Sequence, residues 1–140
     1  MAIIVRAAKI VILDKDNNAL ILRRSNTHPR VPLHPDIPGG IIEKDETFEA
    51  GLLREVQEET GLIFAHESIK LVYTLTHDWF SKSVTRLLYA VRLEESKPDI
   101  NVSWEHADFS WQPIKTVKSI EKPYQEGIDY ATKHDLWSEV

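Results

Sequence analysis

One helix constrains this chain more than any other feature. Phe48, Leu52, Leu53 and Val56 recur at helical spacing, Thr47 suits an N-cap, and Gly61 suits a left-handed C-cap. The pattern predicts a helix from about Thr47 to Thr60. Its surroundings read as sheet. Residues 7–13 (AAKIVIL) are β-branched and apolar, residues 14–18 are a turn cluster, and residues 19–22 (ALIL) return, which predicts a hairpin. Residues 25–38 contain Pro29, Pro32, Pro35 and Pro38 with His28 and His34, a composition expected of an irregular loop that serves function. Gly39-Gly40 and a short extended piece, residues 41–43, lead into the helix. Beyond it, residues 70–76 and 84–93 are expected as strands around a turn at 78–83. A short strand at 109–112 and a helix at 122–137 complete the order. Strands, helix, strands and helix predict an α/β fold with helices packed on a mixed sheet, in one domain spanning residues 1–140.

The predicted helix carries Glu55, Glu58 and Glu59 at i, i+3 and i+4, on one face. Such carboxylates repel one another unless a cation compensates, and hard oxygen ligands suit Mg²⁺ or Mn²⁺, which keep waters and bridge to phosphates. Gly51 stands one turn before Glu55. A mid-helix glycine costs about 1 kcal/mol against alanine, so a backbone or ligand is expected to approach there. Arg54 has the fork to hold a carboxylate through two hydrogen bonds. Taken alone, the triplet also fits a solvated acidic face.

Composition narrows the chemistry. The chain has no cysteine, so disulfides, zinc–thiolate sites and a cysteine nucleophile are excluded. Its net charge is −5 with no basic stripe, which argues against a long nucleic acid but allows a polyphosphate reached through divalent cations. No apolar run reaches the roughly 20 residues of a membrane span, and the first residues do not resemble a signal peptide. The expectation is a cytoplasmic protein with no membrane partner.

The wider pattern resembles the Nudix hydrolase signature: glycine, five residues, glutamate, seven residues, then Arg-Glu-aliphatic-x-Glu-Glu-x-Gly-aliphatic. Gly40, Glu46, Arg54, Glu55, Val56, Glu58, Glu59, Gly61 and Leu62 fill every specified position, and residues 36–39 resemble the family's lead-in. The resemblance, closest to single-domain, MutT-like pyrophosphohydrolases, implies an α/β/α sandwich with a mixed sheet and a loop–helix–loop signature. It implies Mg²⁺, with Mn²⁺ as a substitute, held by Glu55, Glu58 and Glu59, and water attacking a phosphoanhydride. Glu46 and Arg54 would shape the loop and orient the ligands, Gly39 and Gly40 would supply backbone beside the substrate, and the general base would be Glu55 or Glu58. The substrate expected is a nucleoside triphosphate or related small nucleotide. The family also includes dimers.

Further candidates carry two readings each. Glu105, in a Glu-His-x-x-aromatic-x-Trp segment that resembles one downstream of the signature in many Nudix proteins, would complete the metal site or be an exposed loop acid. His106 is expected to be structural and Trp111 to pack in the core. Arg24 aligns with a phosphate-contacting position of the mutator-type branch; alternation sends Arg23 to the opposite face. At residues 77–80, an aromatic could stack on a base, although hairpin or core packing is the default. The competing functional class is a catalytically silent nucleotide-sensing module on the same fold, which would normally have lost signature carboxylates.

Overall fold

The computed structural model describes residues 3–27 and 32–140; His28 and Pro29 of the proline-rich loop lie outside them. Strands β1 (Ile3–Leu13) and β2 (Asn18–Arg24) form the expected hairpin, but they stay together only at its turn, where Leu13 faces Ala19. The strands then part. The loop predicted at 25–38 is partly strand: β3 (Pro35–Asp36) pairs with β2, and β4 (Gly39–Ile41) pairs with β1. Two prolines cannot donate to a ladder, which hid this segment from propensity, yet two short pairings suffice to fill the wedge.

Helix α1 (Phe48–Thr60) follows as expected. The Thr47 hydroxyl accepts from the Ala50 amide at 3.1 Å, and Gly61 takes φ 76°. Strands β5 (Lys70–Trp79) and β6 (Lys82–Arg92) run further than predicted, because only Phe80 and Ser81 separate them and Phe80 absorbs the turn at φ 57°. β6 pairs in parallel with β1 along its length. β7 (His106–Pro113) pairs with β2, longer than the 109–112 expected. Helix α2 (Lys122–Lys133) is shorter than the predicted 122–137. Asp135 turns left-handed at φ 51°, and the tail folds back as the Trp137 indole donates to Thr132 at 2.9 Å. The guanidinium of Arg92 pins that tail by donating to the carbonyls of Trp137 and Val140.

The sheet is covered on both faces, which is why β1 reads as an apolar run rather than an alternating one. Ala8, Ile10 and Ile12 pack with Leu52 and Val56 of α1, while Val11 and Leu13 pack with Tyr124, Ile128 and Ala131 of α2. This is the predicted α/β/α sandwich. No helix among the described residues is long and apolar enough to cross a membrane.

Candidate functional site

The segment that fills the wedge also brings the site together. It sets Gly39 and Gly40 against the last two turns of α1, so that Glu55 and Glu59 meet β4. Glu59 is buried and accepts from the Gly39 amide at 3.1 Å. The carboxylate of Glu55 lies beside Gly40, where a Cβ would stand 3.3 Å from its Cδ. Glu58, on the outer side of the same turn, keeps its side chain 58% exposed.

Arg54 organises the acids. It binds Glu46 through two bonds, Nε to Oε2 at 2.7 Å and Nη2 to Oε1 at 2.9 Å, and its Nη1 reaches Glu55 at 3.2 Å and Glu58 at 3.5 Å. Glu46 also accepts from the Glu43 amide. The close approach expected at Gly51 is met by side chains: a Cβ there would lie 2.8 Å from Ile42 Cδ1 and 2.9 Å from Glu46 Oε1. Arg6 braces the loop from β1, donating to the carbonyls of Glu43, Lys44 and Glu46. The sequence reading missed Arg6, which carries no local signal of that role.

These contacts divide the acids electrostatically. The hydrogen bonds from Arg54, with that from the Glu43 amide, push Glu46 down to about 2, so it stays ionised as the counter-charge of Arg54. Burial pushes Glu59 up to about 8, and the charges of Glu55 and Asp36 add to the shift. Burial also raises Glu55, against Arg54, with Glu58 and Glu105 contributing repulsion. Two carboxylates that resist ionisation side by side are what a cation would relieve. Among the described residues no three metal-binding side chains already converge, but Mg²⁺ needs only one or two carboxylates beside waters and phosphate oxygens. The donor set fits such an ion.

A cavity of about 790 Å³ opens beside these acids on the α2 face of the sheet, a size suited to a small ligand. Its floor is made by Val5, Ala7 and Lys9 of β1 and Val84 and Arg86 of β6. Of the predicted site residues, Glu59, Glu105, Arg24, Gly39 and Gly40 line it, whereas Glu46, Arg54, Glu55 and Glu58 stand behind Gly40. Arg23 points away and pairs with Asp108. Trp79 and Phe80 show the hairpin packing expected rather than core packing: they are exposed at the tip, their rings lie 5.6 Å apart, and Trp79 lines the cavity with Lys82 over its ring. His34 and His106 line the cavity as well, and Trp111 packs on the α1 side, its indole donating to the Pro98 carbonyl. The reading missed Lys9, Arg86 and Tyr124; only Lys9 left a trace, as the one charge within the apolar run 7–13.

The NUDIX domain profile matches residues 4–133. The chain belongs to the Nudix family. The Nudix chain is 40% identical over 63 residues to the ADP-ribose pyrophosphatase of Methanocaldococcus jannaschii, a match covering 45% of this chain and 36% of that protein. It thus spans about a third of that relative's length. It is 36% identical over 87 residues to the 8-oxo-dGTP diphosphatase of Proteus vulgaris, covering 58% of this chain and 70% of the relative. Its fold matches the crystal structure of a MutT protein from Methanosarcina mazei Go1 with a TM-score of 0.77, at 20% identity over 96% of each chain. Nudix hydrolases generally require a divalent metal.

Proposed function

We propose that this Nudix domain hydrolyses a phosphoanhydride bond in a small nucleotide, a nucleoside diphosphate linked to a further group, with Mg²⁺ as the working ion and Mn²⁺ as a substitute. The observation that carries the reading is Glu59 with Gly39 and Gly40 at the wall of a nucleotide-sized cavity, Glu55 directly behind Gly40, and Arg24 on the same cavity. Glu55, Glu58 and Glu59 would hold the metal, and Glu105, which lines the same cavity, could add to them. When bound, the metal neutralises the diphosphate and lowers the pKa of a water.

The chain's own groups do the rest. Arg24 contacts a phosphate through the guanidinium edge that Asp36 leaves free, and the exposed backbone at Gly39 and Gly40 lets the diphosphate approach closely. Arg54, locked by Glu46, orients Glu55 and Glu58. Glu55 or Glu58 takes the proton of the attacking water. At the hairpin tip, Trp79 offers a face on which a nucleobase stacks. The related ADP-ribose pyrophosphatase and 8-oxo-dGTP diphosphatase act on nucleoside diphosphate derivatives by their names, which supports the substrate class and leaves the attached group to the cavity.

A panel of nucleoside triphosphates, nucleotide sugars and dinucleoside polyphosphates, assayed for phosphate or pyrophosphate release, tests the reading. Turnover of at least one member that is abolished by chelation is expected. A nucleotide that binds tightly while no panel member turns over with Mg²⁺ or Mn²⁺ would make the domain a sensing module instead.

A further inference from the structure

Lys9 is a charged residue placed where β1 is otherwise apolar and covered. Alternation along β1 sends it to the α2 face with Val11 and Leu13, and only 7% of it is exposed. An ammonium in such a place costs several kcal/mol unless it is paired and hydrogen-bonded. Its Nζ donates to Asp36 Oδ1 at 2.6 Å and to the Ile37 carbonyl at 3.3 Å. Asp36 sits on β3, inside the wedge between β1 and β2, so its second oxygen faces the other arm. There Oδ2 accepts from Arg24 Nε at 3.1 Å.

One buried carboxylate therefore serves two cations. Left alone with Arg24, Asp36 would take the guanidinium with both oxygens, the geometry this pair prefers. Lys9 occupies Oδ1 together with the Ile37 amide, which donates to the same oxygen at 2.8 Å, so Arg24 meets only Oδ2. Arg24 is then held by its Nε edge, with its side chain 14% exposed, and the residue lines the cavity. The Lys9 stem also lies under Gly39, where a Cβ would meet Lys9 Cγ at 2.8 Å. The triad carries a net positive charge on the cavity, facing the acids Glu59 and Glu105 that line it as well.

We infer that Lys9 is a positioning residue for substrate: by holding one oxygen of Asp36 it keeps the Arg24 guanidinium turned toward the diphosphate. The inference rests on Arg24 contacting phosphate, as proposed above. It is separable from that reading, because the effect of Lys9 must pass through Arg24.

The test is a double-mutant cycle on binding of methylenediphosphonate, a diphosphate that cannot be hydrolysed, measured calorimetrically with Mg²⁺. Lys9→Met keeps the stem under Gly39 and leaves Asp36 partnered by Arg24. It is expected to weaken binding about tenfold, while in an Arg24→Ala background it should change Kd by less than about twofold. Lys9→Met/Asp36→Asn removes both buried charges, guards against misfolding of the single variant, and is expected to bind as weakly as Arg24→Ala. Wild-type affinity in Lys9→Met, or a loss that adds in full to that of Arg24→Ala, overturns the inference and leaves the site reading standing. Failure of the wild-type protein to bind the probe would overturn both.

Discussion

Replacing Glu59 with glutamine should stabilise the metal-free protein while removing its function. Burial pushes Glu59 up to about 8 from an ordinary 4.5. Between those values the folded state holds a proton that the unfolded chain has released, so stability falls as pH rises through this window and levels off above it. At about 1.4 kcal/mol per pH unit the full window is worth at most about 5 kcal/mol, and relaxation around the charge reduces it. Glutamine stays neutral and its carbonyl still accepts from the Gly39 amide. Glu59→Gln is therefore expected to gain about 2 kcal/mol at pH 8.5 in a chelator, or roughly 4–8 °C in Tm for a chain of this size, and nothing at pH 4.5. Thermal melts at both pH values check this. Mg²⁺ should raise the wild-type Tm at pH 8.5 and leave the variant unmoved. A variant less stable than wild type at pH 8.5 without metal would refute the reasoning, because the Glu59 carboxylate would then be a favourable charge.

Other substitutions probe the supports of the site. Gly51→Ala gains about 1 kcal/mol of helix propensity but drives a Cβ to 2.8 Å from Ile42 and 2.9 Å from Glu46. A net loss of about 1–2 kcal/mol is expected, seen as a lower urea midpoint, and a stabilised variant would contradict the close packing. Arg54→Ala frees Glu46, Glu55 and Glu58 at once and should cut turnover by about 10–100-fold. Arg54→Lys should not restore it, since an ammonium cannot make the two-point contact. Trp79→Ala should raise KM for a nucleotide more than it lowers kcat, and its stability should stay within about 0.5 kcal/mol of wild type because the ring is surface-exposed.

Local signals carried the helix and its acids well. Thr47, Gly61 and the apolar spacing between them place α1 to within a residue, and the position of every glutamate on it follows. The wedge was not legible, because Pro35 and Pro38 hide two short strands that hold together only through pairing with β1 and β2. Lys9, Asp36 and Arg24 stand far apart in the sequence and meet only once that wedge closes. The unequal environments of Glu55, Glu58 and Glu59 were hidden for the same reason: helical spacing groups them, and β4 separates a buried Glu59 from an exposed Glu58. Helix α2 was overextended because Asp135 turns left-handed without a glycine or proline to announce it.

In the proposed function the glutamates of α1 drive metal-dependent cleavage of a phosphoanhydride. Hydrolysis of the nucleotide panel in ¹⁸O-labelled water, for wild type and Glu58→Gln side by side, tests it most directly. The side chain of Glu58 is 58% exposed, so its amide should leave the melting temperature unchanged while turnover falls roughly a thousandfold or more. In the wild-type reaction a single ¹⁸O should appear on the phosphorus attacked, only when Mg²⁺ or Mn²⁺ is present. Equal turnover by the two proteins, or label incorporation that survives chelation, would contradict the account.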